Sequence, residues 1–532
     1  MRIVPAGAAL ATAAALAQAC SGGPSLLGDP ARRFELPPLQ SEVPEYELLI
    51  DPDVLAKFDA DVHTDDQPAT FVHRGHHQPV TVRLRGNSSR YWPKKSWRID
   101  FPDGVHFGHR KKLNLISEWK DNSMMVDKLG YDLLAALHVP APRASYARLK
   151  INGRYEGVFV DVEHVGSHYL KTHGFADMDA TRYRCGRKDC EMKTSLLSYQ
   201  TKWEHKEGRD GDGALYELLD FMNHSPESEF ARSLEDRFEV EIFLRDMTVD
   251  ALISNNIIED SRSYFIHDRR MGKWVYIPWD LNNSDVRWQP WQDVHRVAQF
   301  EHPIFAFTAI DSFVADKHAR RLIDHPEIEY LPIFSNLRTR IAFHPALRSR
   351  FLTLVERALD EVFSVDALAA RLEATEKLLA PSMAADPYMQ FDKFAAMPAH
   401  LAEYIANRSA FLRSELVRWR GYQPTLVIEA LAPQQGWVEL RNRGTAPVST
   451  QGLVLTTDLR RATTPNVPAL TLGAGERVRF TAAQLGLTFA PDGELGLFDG
   501  QSVTGAIDVR FYGKLEPGRH EARNDRGEWE IR

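Results

Sequence analysis

Helical periodicity stops at Trp419 and does not return, and this break constrains the fold of the 532-residue chain more than any single motif. Before it, Leu401, Tyr404, Ile405, Phe411, Leu412, Leu416 and Trp419 recur along one face of a long helix. After Arg420–Pro424, which reads as a linker, the chain runs in short apolar segments cut by Gly, Pro and Thr. Trp437–Leu440, Leu453–Thr456, Arg477–Thr481, Leu495–Phe498 and Ile507–Phe511 come at the spacing of a β-sandwich. The reading is an α+β body over 43–420 followed by an all-β unit over 424–532, with no internal repeat.

Within the body the pattern changes twice. Glu47–Ile50, Ala69–Val72, Val80–Arg85 and Trp97–Phe101 read as strands, and Arg74-Gly75 between two of them reads as a hairpin tip. His73, His76 and His77 around that tip are therefore turn residues, not metal ligands. Met124, Met125, Leu129, Leu133, Leu134 and Leu137 then predict a helix, capped by Asp121 or Ser123 and stopped by Pro140. Asn152-Gly153 between Tyr146–Ile151 and Tyr155–Val162 predicts a two-residue hairpin, because that pair tolerates the positive φ angles a primed turn requires. A helical region is expected over 213–256, a second hairpin over Tyr264–His267 and Trp274–Ile277, and mostly helix from 300 to 420.

Composition narrows the partners. With 65 basic and 73 acidic residues, a net charge of −8 and a pI near 6.2, no basic field coats the chain, so no nucleic-acid partner is expected. The alanine-rich run Ile3–Ala19 suits the apolar core of an export signal over 1–20, and Leu16-Ala17-Gln18-Ala19-Cys20 before Ser21-Gly22-Gly23 resembles a bacterial lipoprotein signal. Cys20 is then the lipidated mature N-terminus, with 21–42 as the tether, and the protein is exported, either anchored to a membrane as a lipoprotein or left in the periplasmic or extracellular space. In an oxidising compartment Cys185 and Cys190, separated by four residues that include Gly186, read as a loop disulfide.

Two constellations carry chemistry. Arg85-Gly86-Asn87-Ser88-Ser89-Arg90 follows a strand and leads to Lys94-Lys95-Ser96-Trp97-Arg98, combining free backbone N–H groups with cations suited to anions. Trp279-Asp280-Leu281-Asn282-Asn283 closes the second hairpin and offers the oxygen ligands a hard cation takes. Glu259 and Asp260 lie in the acidic loop before that hairpin, which folding would bring near Asp280.

Arg85-Gly86-Asn87-Ser88 with Lys94-Lys95-Ser96-Trp97-Arg98, then Asn152-Gly153-Arg154-Tyr155-Glu156-Gly157-Val158-Phe159 with Glu163, and Ile277-Pro278-Trp279-Asp280-Leu281, together resemble the CotH kinase family. The resemblance implies a divergent, two-lobed protein-kinase-like body that uses ATP and Mg or Mn to phosphorylate serine on coat or surface proteins. It implies Asp280 as a metal ligand, with Asn282 where the family often has a second acid. The catalytic acid falls at Asp260 or Glu259, Arg85, Asn87, Lys94 and Lys95 face the nucleotide, and Glu163 pairs with one of these cations.

Trp437-Val438-Glu439-Leu440-Arg441-Asn442, Leu487-Thr488-Phe489 and Gly493-Glu494-Leu495-Gly496-Leu497-Phe498-Asp499, with Tyr512, Gly518 and Trp529, resemble a lamin tail domain. That resemblance implies an immunoglobulin-like sandwich with a binding role. Two functions follow: an exported, lipid-anchored kinase acting on Ser/Thr of envelope or surface proteins, or a catalytically weak kinase-like scaffold that binds surfaces through the lamin tail unit.

Overall fold

The computed structural model describes residues 26–29, 31–186, 192, 203–211, 213–255, 263–281, 299–324, 326–327 and 331–532. The chain is α+β. Its first half builds a closed seven-stranded barrel from β1 (Glu45–Leu49), β2 (Gln67–His73), β3 (His76–Arg85), β4 (Ser96–Asp100), β5 (Lys112–Ile116), β6 (Ala144–Ile151) and β7 (Arg154–Val162). The order around it is β1-β2-β3-β4-β5-β7-β6, and β1 closes it by pairing parallel with β6. Alternation along the strands sends Leu48, Val82, Leu84, Ile99, Leu113, Leu115 and Leu149 inward to one apolar core. The turns follow local chemistry: Arg74 and Gly75 in the first hairpin, and Asn152 and Gly153 in the last, all have positive φ.

Helix α1 (Pro52–Ala60) has no counterpart in the strand pattern. Asp51 starts it, accepting from Asp53 N at 2.8 Å, with Pro52 at the first helical position. Between β5 and β6 lies α2 (Val126–Ala136), with Asp121 and Ser123 both serving its start: Asp121 Oδ2 accepts from Val126 N at 3.0 Å and Ser123 Oγ from Met125 N at 2.9 Å.

After the barrel come α3 (Ser167–Thr172), β8 (Thr181–Cys185) and β9 (Trp203–Glu207), then α4 (Ala214–His224), α5 (Glu227–Arg237) and α6 (Val240–Leu252). The helical stretch is thus three helices, broken at Ser225-Pro226 and at Phe238-Glu239. The hairpin β10 (Tyr264–Asp268) and β11 (Lys273–Ile277) joins β8 and β9 in a sheet ordered β11-β10-β8-β9. Helices α7 (Ser312–Asp324), α8 (Asn336–Phe343), α9 (Pro345–Glu361), α10 (Val365–Met383) and α11 (Phe391–Arg420) complete the body. No helix among the described residues is long and apolar enough to cross a membrane.

Two expectations about organisation change. The described part of 21–42 is a packed strap, not a free tether. Leu27 and Phe34 are buried in the body core, Arg357 stacks 4.1 Å over the Phe34 ring, and Gln40 exchanges hydrogen bonds with the Tyr146 backbone at 2.8 and 2.9 Å. The β unit beyond α11 is also fused to the body. Its main strands are β12 (Leu426–Ala432), β13 (Trp437–Asn442), β14 (Val448–Ser449), β15 (Val454–Thr456), β16 (Thr471–Leu472), β17 (Arg477–Thr481), β18 (Gly493–Phe498), β19 (Ala506–Tyr512), β20 (Glu521–Arg523) and β21 (Trp529–Ile531). They form a five-stranded sheet β17-β13-β12-β20-β21, a three-stranded sheet β15-β18-β19 and the pair β14-β16. Phe498, Val509 and Phe511 belong to the same apolar core as the body helices, and Glu227 Oε1 accepts from Phe511 N at 3.1 Å.

Candidate functional site

Asp280 stands three residues beyond β11, where the backbone turns through φ +69°, a left-handed conformation that is costly for a residue with a Cβ. Two groups on α2 hold it there. Tyr131 Oη accepts from Asp280 N at 3.4 Å, and Asp127 Oδ1 accepts from Leu281 N at 3.1 Å. Gly130 lets α2 come that close: a Cβ there would lie 2.9 Å from Leu281 Cδ1 and 3.2 Å from its Cβ.

This contact brings two carboxylates together. Burial and then the neighbouring Asp280 charge push the Asp127 carboxyl up to about 8, against the Leu281 N–H and Arg85, which favour its charge. Tyr131 is raised well above the usual phenol range by burial and the same two acids. Arg85, at the end of β3, reaches across from the barrel and stacks 5.3 Å over the Trp279 ring. Asp127 and Asp280 offer only hard oxygen donors, with a cation-compensating Arg85 beside them, so the pair fits Mg or Mn in kind. Asp127 is the member the sequence concealed. It lies inside an apolar helical pattern, and only the packing of α2 on Leu281 gives it a role.

The other expected nucleotide residues fare differently. Lys94 is fully buried, donating to Asp386 Oδ2 at 2.7 Å and Val158 O at 2.6 Å, and so ties the barrel to the α10–α11 connection. Gly157, at φ +100°, makes the room, since a Cβ there would fall 2.0 Å from Asp386 Oδ2. Lys95 donates to Arg90 O at 2.7 Å, folding the loop onto itself. Asn87 is exposed and makes no side-chain cap to the short helical turn after it. Glu163 does not pair with these cations. It accepts from Arg143 N at 3.2 Å and lies 2.8 Å from His173 Nε2, which hold its carboxyl below the usual range despite burial.

Glu259, Asp260 and Asn282 lie outside the described residues, as do Cys20 and Cys190; Cys185 is buried at the end of β8. The segments flanking those stretches are firmly held by polar side chains from α6, α8 and α11, of which the periodicity singled out Tyr404 alone. Asn255 Nδ2 donates to Asp250 Oδ1 at 2.8 Å, and buried Arg338 donates to Asp250 Oδ2 at 2.7 Å and Asp246 Oδ2 at 3.2 Å. On α11, Tyr404 Oη lies 2.7 Å from Ser254 Oγ, and Arg408 donates to Ala251 O at 2.8 Å, Phe300 O at 2.6 Å and His302 O. One helix therefore fixes the chain just before 256–262 and just after 282–298.

A β-barrel set against helices, with an acidic pair and a cation where they meet, defines an α+β protein with a polar site between barrel and helices. The family model described as CotH kinase protein matches residues 82–412, and the chain belongs to that family. It is similar to Inner spore coat protein H of Bacillus subtilis (strain 168), with 27% identity over 395 residues, 71% of this chain and 98% of that protein. It is also similar to the Inner spore coat protein H-like protein of the same organism, with 22% identity over 327 residues, 61% of this chain and 86% of that protein. Asp127, Asp280, Arg85, Lys94 and Asp386 all fall within the family match, and the β unit lies beyond its end.

Proposed function

We propose that the protein is a metal-dependent kinase that transfers the γ-phosphoryl group of ATP to Ser or Thr of envelope or surface proteins. The carrying observation is the buried Asp127 beside the half-buried Asp280, with Arg85 alongside. In this reading the barrel and the helical body are the two lobes of a divergent kinase, and Asp280, Asp127 and Asn282 would hold Mg or Mn. The bound metal would screen the charge of the phosphate chain. Asp260 would orient the acceptor hydroxyl and take its proton as the oxygen bonds to the γ-phosphorus and the bond to the β-phosphate oxygen breaks, releasing ADP. Arg408, Tyr404 and Arg338 would act as positioning residues for the loops that carry Asp260 and Asn282.

The reading includes export with anchoring through Cys20, a Cys185–Cys190 disulfide, and a lamin tail module after α11. The test is incorporation of radiolabelled phosphate from ATP by the full chain with Mg²⁺ and with Mn²⁺. Incorporation lost in Asp280→Ala supports the kinase. No incorporation and no nucleotide-induced thermal shift with either metal would leave a binding scaffold. For the anchor, Cys20→Ser should move the protein from the membrane to the soluble fraction.

A further inference from the structure

Leu39 and Gln40 of the strap close a cavity of about 40 Å³ against α2, β6 and α10. That is room for about three water molecules, or for one organic ion of about four or five heavy atoms. Strand alternation builds one wall. Ala147 and Leu149 of β6 fill the barrel, so Tyr146 points out of it into the body core and is only 3% exposed. Helical spacing builds the next. Lys128 and Asp132 stand one turn apart on α2, on a stripe beside that of Asp127 and Tyr131, which hold the Asp280 turn. Arg371 reaches in from α10.

The unused hydrogen-bonding capacity around this cavity is donor capacity. Asp132 is the one carboxylate in its lining, and both its oxygens are taken, Oδ1 by Lys128 and Oδ2 by Arg371 at 2.7 Å. The Gln40 amide is spent on the Tyr146 backbone and on Glu42 O. Among the described residues the Lys128 ammonium, with three N–H groups, has Asp132 as its acceptor, and the Arg371 guanidinium, with five, has Asp132 and Pro37 O. Tyr146 hydrogen-bonds only through its backbone, so its hydroxyl has no partner among the described residues. Burial, and then the Asp132 charge, keep that phenol protonated and a donor. Asp121 and Asp127, which the phenol also feels, spend oxygens on Val126 N and Leu281 N outside the cavity.

We propose that this cavity binds a small aliphatic monocarboxylate, of the size of acetate or propionate. Its carboxylate accepts from Lys128, Arg371 and the Tyr146 hydroxyl, and its alkyl end lies against Leu39, Ala374 and Leu378, which complete the lining. Two cations and one carboxylate leave a single positive charge, which matches a monoanion. A planar carboxylate suits the guanidinium, and its lone pairs meet the three donors that lack acceptors. Phosphate or sulfate, with oxygens on every side, would leave some of them against the apolar end unpaired. The site exists only while Leu39 and Gln40 are docked, and it stands whether or not the protein is a kinase.

The test is ligand-observed NMR titration of the full chain with sodium acetate and sodium propionate in the presence of EDTA, with propionamide as the uncharged analogue. The carboxylates should bind and propionamide should not. Tyr146→Phe should melt at or above the wild-type temperature without ligand, since the lost hydroxyl has no partner. It should weaken carboxylate binding roughly tenfold, the worth of a hydrogen bond to a charged group. Lys128→Met should weaken it at least as much. Arg74→Gln, at the exposed pair with Glu42, and Asp280→Ala should leave it unchanged. Wild-type protein that binds neither carboxylate, or binds propionamide equally well, would overturn the site, as would Tyr146→Phe and Lys128→Met variants that bind as wild type does. A clear drop in the Tyr146→Phe melting temperature would show a hydroxyl already paired, and loss of binding in Asp280→Ala would place the anion elsewhere; either overturns the cavity. No nucleotide or metal enters the titration, so failure of phosphoryl transfer does not decide it.

Discussion

Lys94 Nζ and Asp386 Oδ2 lie 2.7 Å apart with both side chains fully buried, although 292 positions separate them in the chain. Burial drives the Lys94 pKa down, and the Asp386 charge is the main force holding the proton on. Asp386 Oδ2 also accepts from Val158 N at 3.1 Å, so the carboxylate joins a loop of the body to the barrel wall.

Removing one partner should strand a buried charge. Asp386→Ala is expected to cost about 3–5 kcal/mol of stability, whereas Lys94→Met with Asp386→Leu should cost clearly less than the single change. Urea unfolding of the three proteins checks this. A single variant within about 0.5 kcal/mol of wild type, in the range of an ordinary surface change, would make the pair incidental.

The Asp127 carboxyl should set a pH dependence. Its folded pKa, about 8, lies above its unfolded value near 3.8, so the folded state holds a proton the unfolded state releases. Stability without metal should therefore fall as pH rises from about 4 to about 8. Asp127→Asn keeps an oxygen for the Leu281 N–H and removes the acid, so it should flatten that slope and be more stable than wild type at pH 8. Thermal melts between pH 5 and 9 in EDTA read this directly. Added Mg²⁺ or Mn²⁺ should raise the wild-type melting temperature at pH 8 and leave the variant little changed.

Asp280→Ala should melt close to wild type without ligand, because no packed apolar surface is lost, and should lose the thermal shift produced by ATP with metal. An undiminished shift would reduce Asp280 to a turn residue. Gly130→Ala approaches the same site from behind. The added methyl meets Leu281 and Ile253 at 2.9 and 3.4 Å, so α2 must move off the Asp280 segment. A helix-favouring change should then destabilise, by about 1–3 kcal/mol of overpacking, instead of gaining the usual helix propensity.

The β unit should not behave as a detachable module. Asn336 Nδ2 donates to Glu494 Oε2 at 2.9 Å, Ser228 Oγ to Glu521 Oε1 at 3.2 Å, and a Cβ on Gly513 would lie 2.6 Å from His224 O. Burial and then Glu227 push the Glu521 carboxyl up to about 7. Stability should fall as pH rises through 7, and Glu521→Gln should recover it. A chain ending at 424 should melt well below the full chain; equal melting temperatures would restore the picture of an independent domain.

The sequence by itself determined the elements whose signals are local. Asn152-Gly153 fixes a hairpin because those residues accept positive φ, Asp121 and Ser123 start α2 because their oxygens take free N–H groups, and loss of period after Trp419 marks the change to strands. It singled out Asp280 and Arg85 because each sits where a strand gives way to a loop. Tertiary structure alone decided what those residues meet. Asp127 becomes an acid of the site only because Gly130 admits Leu281. Lys94 is tied into the core only because Gly157 leaves space for Asp386. Burial and electrostatic pairing depend on distances between segments far apart in the chain, and local patterning does not record those distances.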